Sequence, residues 1–159
     1  LESLIEKSPL PLIGNGDLHS TQVIREKLKN SKFSCFMIAR GCLRNPFIFL
    51  ESFLTEEEEK EFSKMGGYFS AADMWEVVMR YNYYLNNHFS NERITLMQFK
   101  KMCVWLAMGF PYAAHFRTQI FPSKNFEEAY KLSKDFFEAQ KNNHKQVDFT
   151  QEFLNGGHG

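Results

Sequence analysis

Two short loops carry the residues best suited to chemistry. Gly14-Asn15-Gly16-Asp17 closes one apolar run, and Ala39-Arg40-Gly41 closes the next. Glycine lets a backbone approach a ligand closely, and successive N–H groups ahead of a helix can converge on phosphate oxygens. Arg40 adds a guanidinium, whose fork of donors matches phosphate. A lone Gly-Asn-Gly reads first as an ordinary tight turn. The second loop, one strand later, turns the pair into half of a candidate phosphate clamp. In parallel α/β proteins ligands sit at the carboxyl ends of strands, and phosphate sites after the last two strands recur in (β/α)8 barrels.

The elements that would position these loops follow from local signals. Leu10 to Ile13 is an apolar run of strand length, expected to be buried on both faces. Ser20 is an N-cap for a helix to about Asn30, with Val23, Ile24 and Leu28 on one face. Phe33 to Ile38 reads as the second strand. Asn45-Pro46 pairs a cap with proline at a first helical position, predicting a helix that carries Phe47, Ile48, Leu50 and Phe53. Strand and helix alternate here as in βα repetition, which implies a parallel sheet or barrel.

Character changes after Leu54. An acidic run, Glu56 to Glu61, reads as a solvated helix start. Met65-Gly-Gly-Tyr68 reads as a break, placing a domain boundary between about 55 and 70. Beyond it the pattern is helical throughout. Ser70 with Asp73 resembles a capping box ahead of a Met74, Val77, Val78, Tyr81, Leu85 stripe. Ser90 or Asn91 opens a helix from Glu92 to Met108, stopped by Gly109 and Pro111. Ala113 to Phe121 is a short helix closed by Pro122, and Asn125 with Glu128 opens the last. Short connections between four helices predict a small bundle. The tail from Lys141, ending Asn-Gly-Gly-His-Gly, is expected to be loosely ordered.

Composition removes several function classes. Nineteen basic and nineteen acidic side chains leave no net charge, so no global field draws in nucleic acid. No apolar run reaches membrane-spanning length and no signal-peptide pattern appears. Cys35, Cys42 and Cys103 lack metal-ligand or redox spacing and read as reduced thiols of a cytoplasmic protein, with no metal site. Cys35 and Cys103 are expected to be small apolar fillers. Tyr81, Tyr83, Tyr84 and Trp105 are expected in the core. Residues 71–145 hold ten Lys/Arg against seven Asp/Glu, a modest basic surplus in the helical part. The chain starts with Leu, and Leu1 to Lys7 looks like the end of a helix, so a C-terminal piece of a longer protein is expected.

Pro11-Leu-Ile-Gly-Asn-Gly-Asp17, Phe36-Met-Ile-Ala-Arg-Gly41 and Asn45-Pro-Phe-Ile-Phe49 together resemble the barrel end of the tRNA-dihydrouridine synthases. Phe99 to Arg117, with Trp105 and Gly109, is similar to that family's helical domain. The resemblance implies an α/β part followed by an all-α part. Residues 1–56 would be the last βα units of an FMN-binding (β/α)8 TIM barrel and 57–70 a linker. Residues 71–145 would be a helical tRNA-binding bundle and 146–159 a flexible tail. It further implies that Asn15, Gly16, Asp17, Ala39 and Arg40 hold the phosphate of FMN, with Ala39 standing where the family has Gly. The activity implied is reduction of uridine to dihydrouridine in tRNA, with NADPH as reductant. The family's catalytic cysteine, lysine and histidine lie on earlier loops with no counterpart here, so no catalytic residue is assigned.

Lys100, Lys101, Arg117 and Lys124 are the candidate tRNA contacts, with Arg93, Lys131 and Lys134 behind them. Two other readings stand beside this one. The chain could belong to another FMN-dependent barrel oxidoreductase acting on a small molecule, or to a non-catalytic RNA-binding module.

Overall fold

The computed structural model describes residues 5–16, 18–64 and 69–144, which divide into two compact units between Thr55 and Glu56. The first unit opens with β1 (Ile13–Asn15), α1 (Thr21–Asn30) and β2 (Cys35–Met37). The strands pair in parallel, with Ile13 opposite Cys35, Gly14 opposite Phe36 and Asn15 opposite Met37. Ser20 caps α1 as its sequence demands, its side chain accepting from the Val23 N–H at 3.2 Å. Leu18, Ile24 and Ile48 form the buried centre of this unit, flanked by half-buried Val23, Phe36, Ile38 and Cys42.

Three expectations change here. The first strand begins three residues later than the apolar run, and Leu10 and Ile13 are 71% and 65% exposed. Among the described residues only two strands pair, so one strand face finds no layer to cover it. Cys35 sits on β2 but is exposed, for the same reason. The single helix expected from Asn45-Pro46 is instead two short pieces, α2 (Gly41–Arg44) and α3 (Ile48–Glu51). Asn45 does act at this junction: its Oδ1 accepts from the Phe47 N–H at 3.1 Å and its Nδ2 donates to buried Glu51. Only Ile48 of the expected apolar set is fully buried, while Leu50 and Phe53 face solvent.

Arg25 ties α1 to the end of α3. Its guanidinium donates to the carbonyls of Glu51 at 2.6 Å, Leu54 at 3.0 Å and Ser52 at 3.3 Å. A helix leaves its last carbonyls without intrahelical partners, and a cation there satisfies them while opposing the helix dipole.

The second unit holds α4 (Glu56–Lys64), α5 (Ala71–His88), α6 (Glu92–Ala107), α7 (Ala113–Ile120) and α8 (Phe126–Ala139). Residues 56–64 of the expected boundary are therefore helical, with four glutamates in the first turn where the dipole favours them. The expected break at 65–68 and the tail beyond 144 lie outside the described residues, as does the start of the chain. The capping box at Ser70 and Asp73 forms in both directions, at 2.7 and 3.4 Å. Asn91 caps α6 and Asn125 caps α8.

Aromatic rings fill the centre of this unit, which explains the high Phe content. Phe99, Phe110, Phe116 and Phe137 are buried. Phe116 stacks on Phe136 at 4.4 Å, Phe99 meets Phe126 at 4.8 Å and Trp75 lies over Phe137 at 5.8 Å. Cys103 is a buried filler as expected. Burial pushes its thiol up to about 12, against a lowering hydrogen bond with buried Ser133. The chain closes on itself where Ser70 pairs with His144 and the Ala71 N–H donates to Asn143 at 2.9 Å. Among the described residues, no helix is long and apolar enough to cross a membrane.

Candidate phosphate-binding site

Parallel pairing brings the two loops out at one end of the sheet. Asn15 and Met37 are partners, so the segments after them leave from the same edge. The first loop turns at Gly16, whose φ of 131° lies in the region that side chains rarely adopt. The second returns through Ala39 and Arg40 into α2, with Arg40 at the N-cap in a right-handed conformation (φ −63°, ψ −27°). Asn15, Gly16, Ala39 and Arg40 are all exposed. Asp17 lies outside the described residues.

Gly41 fixes how closely the loops approach. A Cβ at this position would stand 2.3 Å from the Leu18 carbonyl oxygen and 3.2 Å from the His19 Cα. Both are backbone atoms, so neither can swing away. The two loops therefore touch through a residue without a side chain, and Leu18 beneath them belongs to the buried cluster. In the sequence Gly41 marks the end of an apolar run, and the contact itself has no local signature beyond its neighbour. A glycine directly after the candidate phosphate arginine was the available signal.

Alanine at position 39 can present its backbone N–H only if its φ is negative. Among the described residues Tyr112 is the only non-glycine with positive φ, so Ala39 keeps ordinary backbone geometry and can present its N–H. Its carbonyl accepts from the Cys42 N–H at 3.3 Å and the Cys42 thiol at 2.9 Å. Burial pushes the Cys42 thiol above its ordinary range, partly offset by a hydrogen bond with its own backbone. Cys42 thus braces the second loop as a neutral thiol. The backbone at the Gly16 turn and the Arg40 guanidinium form a donor set suited to an anion, while the Cys42 and Leu43 N–H groups at the start of α2 are engaged by the Ala39 and Arg40 carbonyls. Among the described residues no group of three His, Cys, Asp or Glu side chains could hold a metal ion.

The candidate tRNA contacts separate in the second unit. Arg117 is exposed on the last turn of α7, its guanidinium 5.8 Å from the Phe121 ring. Lys124 is exposed just before α8, and Lys101 is half-buried on α6. Lys100 is a correction. It is 8% exposed, and its ammonium donates to the Phe121 carbonyl at 3.1 Å and to the Ser123 carbonyl. A cation is rarely buried without such partners. Its partners lie 21 and 23 residues on, so nothing local in the sequence announces them. Lys100 supports the turn between Arg117 and Lys124 and is not itself presented to a ligand. Tyr83 and Tyr84, expected in the core, are exposed, while Tyr81 is half-buried and its phenol is pushed up by burial.

A family model described as dihydrouridine synthase matches residues 1–143 of the chain. A protein named tRNA-dihydrouridine(47) synthase [NAD(P)(+)], from Coprinopsis cinerea, is 29% identical over 122 residues. That match covers 76% of this chain and 17% of the relative, so the chain spans less than a fifth of that relative's length.

Proposed function

Because the chain belongs to the dihydrouridine synthase family, we propose that it is part of an oxidoreductase that reduces uridine to dihydrouridine in tRNA. In this reading residues 1–56 supply the last βα units of a (β/α)8 barrel and hold the phosphate end of FMN. Residues 71–145 dock tRNA, residues 57–70 join the two parts, and the enzyme works in the cytoplasm.

The observation that carries the phosphate reading is the closed contact of the two loops through Gly41 at the carboxyl ends of paired strands. Asn15, Gly16 and Ala39 offer backbone donors there and Arg40 offers a guanidinium, with Asp17 the remaining candidate from the sequence. When bound, FMN supplies the reducing chemistry, with NADPH as the source of electrons. The chain's own share is to bind the phosphate, orient the cofactor and exclude water beside it. Across the helical unit, Lys101, Arg117 and Lys124 contact tRNA phosphates, and Lys100 holds the turn that presents two of them.

The test is Arg40→Ala in the enzyme that carries this chain. Charge-assisted hydrogen bonds contribute about 1.5–3 kcal/mol, so FMN affinity is expected to fall about tenfold or more. Flavin absorbance per protein after purification measures it, and unchanged occupancy would remove Arg40 from the clamp.

A further inference from the structure

The carboxyl end of α5 carries an aromatic face that the fold does not use. Tyr83 and Tyr84 are 65% and 54% exposed. Tyr84 and His88, one turn apart, lie nearly parallel at 17° with centroids 6.5 Å apart, and Tyr83 stands edge-on to Tyr84 at 5.5 Å. Val78 and Leu85 form the buried stripe of the same helix, and the three rings lie outside it. The Asn87 amide is folded back onto the Tyr83 carbonyl at 2.8 Å, which keeps it off the rings.

We propose that Tyr84 and His88, bordered by Tyr83, form a stacking platform for an unpaired base of RNA. This rests on the tRNA reading above and adds a site to it. The chemistry of the face selects this partner. Each ring pairs an open π-surface with a polar edge, whereas an apolar protein partner would bury the two phenol groups and the imidazole without hydrogen bonds. Unpaired bases stack on Tyr and His in the same way that they stack on one another. Charge permits this: no Asp or Glu occurs from residue 77 to 91, and Glu92 belongs to the next helix. Glu76, one turn before Arg80, is already paired with it at 3.7 Å. A phosphate backbone passing this face therefore meets no unpaired carboxylate from α5.

The experiment measures binding of unfractionated tRNA and of a fully base-paired RNA duplex to the complete protein, comparing Tyr84→Ala, His88→Ala and Tyr84→Phe. Tyr84→Ala is expected to weaken tRNA binding about tenfold, the scale of one lost stacked base. His88→Ala weakens it in the same direction, and Tyr84→Phe retains it because the ring remains. The slope of affinity against salt stays unchanged, since no phosphate contact is removed. Duplex binding is unaffected by all three.

Several results would overturn the platform. These are unchanged tRNA affinity in Tyr84→Ala, equal loss on tRNA and duplex, or a change of oligomeric state showing that the face binds protein. If the unsubstituted protein fails to bind tRNA at all, the tRNA reading falls and the platform with it. If that protein binds tRNA and Tyr84→Ala binds equally well, only the platform falls. Both substituted rings are exposed, and circular dichroism checks that each variant keeps its fold.

Discussion

Gly41→Ala is expected to destabilise the first unit and displace the loops of the site together. The new Cβ meets the Leu18 carbonyl at 2.3 Å, and a backbone atom can yield only by moving its loop. Overpacking of this kind costs about 1–3 kcal/mol, and here the displacement is directed at the site itself. The expected outcome is a lower unfolding midpoint together with reduced FMN occupancy in the enzyme carrying this chain. Ala39→Gly, two residues earlier and exposed, serves as the comparison and should leave occupancy nearly unchanged. Equal behaviour of the two variants would show that the contact between the loops is not what shapes the site.

The second large effect is expected at Lys100. Lys100→Met keeps the aliphatic stem and removes the ammonium, leaving the Phe121 and Ser123 carbonyls without their donor. Buried groups left unsatisfied cost about 1–3 kcal/mol, so the helical unit should lose roughly 2 kcal/mol in denaturant unfolding. The salt dependence of tRNA binding separates this role from a phosphate contact. Losing a phosphate contact lowers the slope by about one, as is expected for Lys124→Ala but not for Lys100→Met. A reduced slope with unchanged stability in Lys100→Met would restore it to the tRNA surface.

These two residues also mark where the sequence stops being informative. Signals that act within one helical turn were readable: the caps at Ser20, Ser70, Asn91 and Asn125 all form, because a short polar side chain has few alternatives ahead of a helix. The loops at Gly14–Asp17 and Ala39–Gly41 were recognisable as a pair, because each ends an apolar run with a residue that permits close approach. Exposure was harder to read. Leu10 and Ile13 have the composition of a buried strand, but only two strands pair among the described residues, and burial depends on neighbours that a local run cannot specify. Asn45-Pro46 carries a genuine start signal, yet Asn45 spends its side chain on Phe47 and Glu51 across a break between two short helices.

Contacts distant in sequence were invisible for the same reason. Arg25 reaches the carbonyls of residues 51, 52 and 54, and Lys100 reaches those of 121 and 123. Both are cations satisfying carbonyls at or near helix ends, and nothing local in the sequence marks either as buried against a distant segment, so Lys100 reads there as a tRNA contact. Tyr83 and Tyr84 erred the other way. Aromatic residues on a helix are usually core, but α5 buries the stripe of Met74, Val78 and Leu85 and turns these two rings outward.

The central claim is that the paired loops bind the phosphate of a flavin nucleotide, and comparing FMN with riboflavin tests it most directly. The two share the isoalloxazine ring and differ at the phosphate. Titration of the flavin-free enzyme carrying this chain should give FMN an affinity about a hundredfold above that of riboflavin, with most of the gap lost in Arg40→Ala. Equal affinities for FMN and riboflavin, or a gap that Arg40→Ala leaves intact, would contradict it.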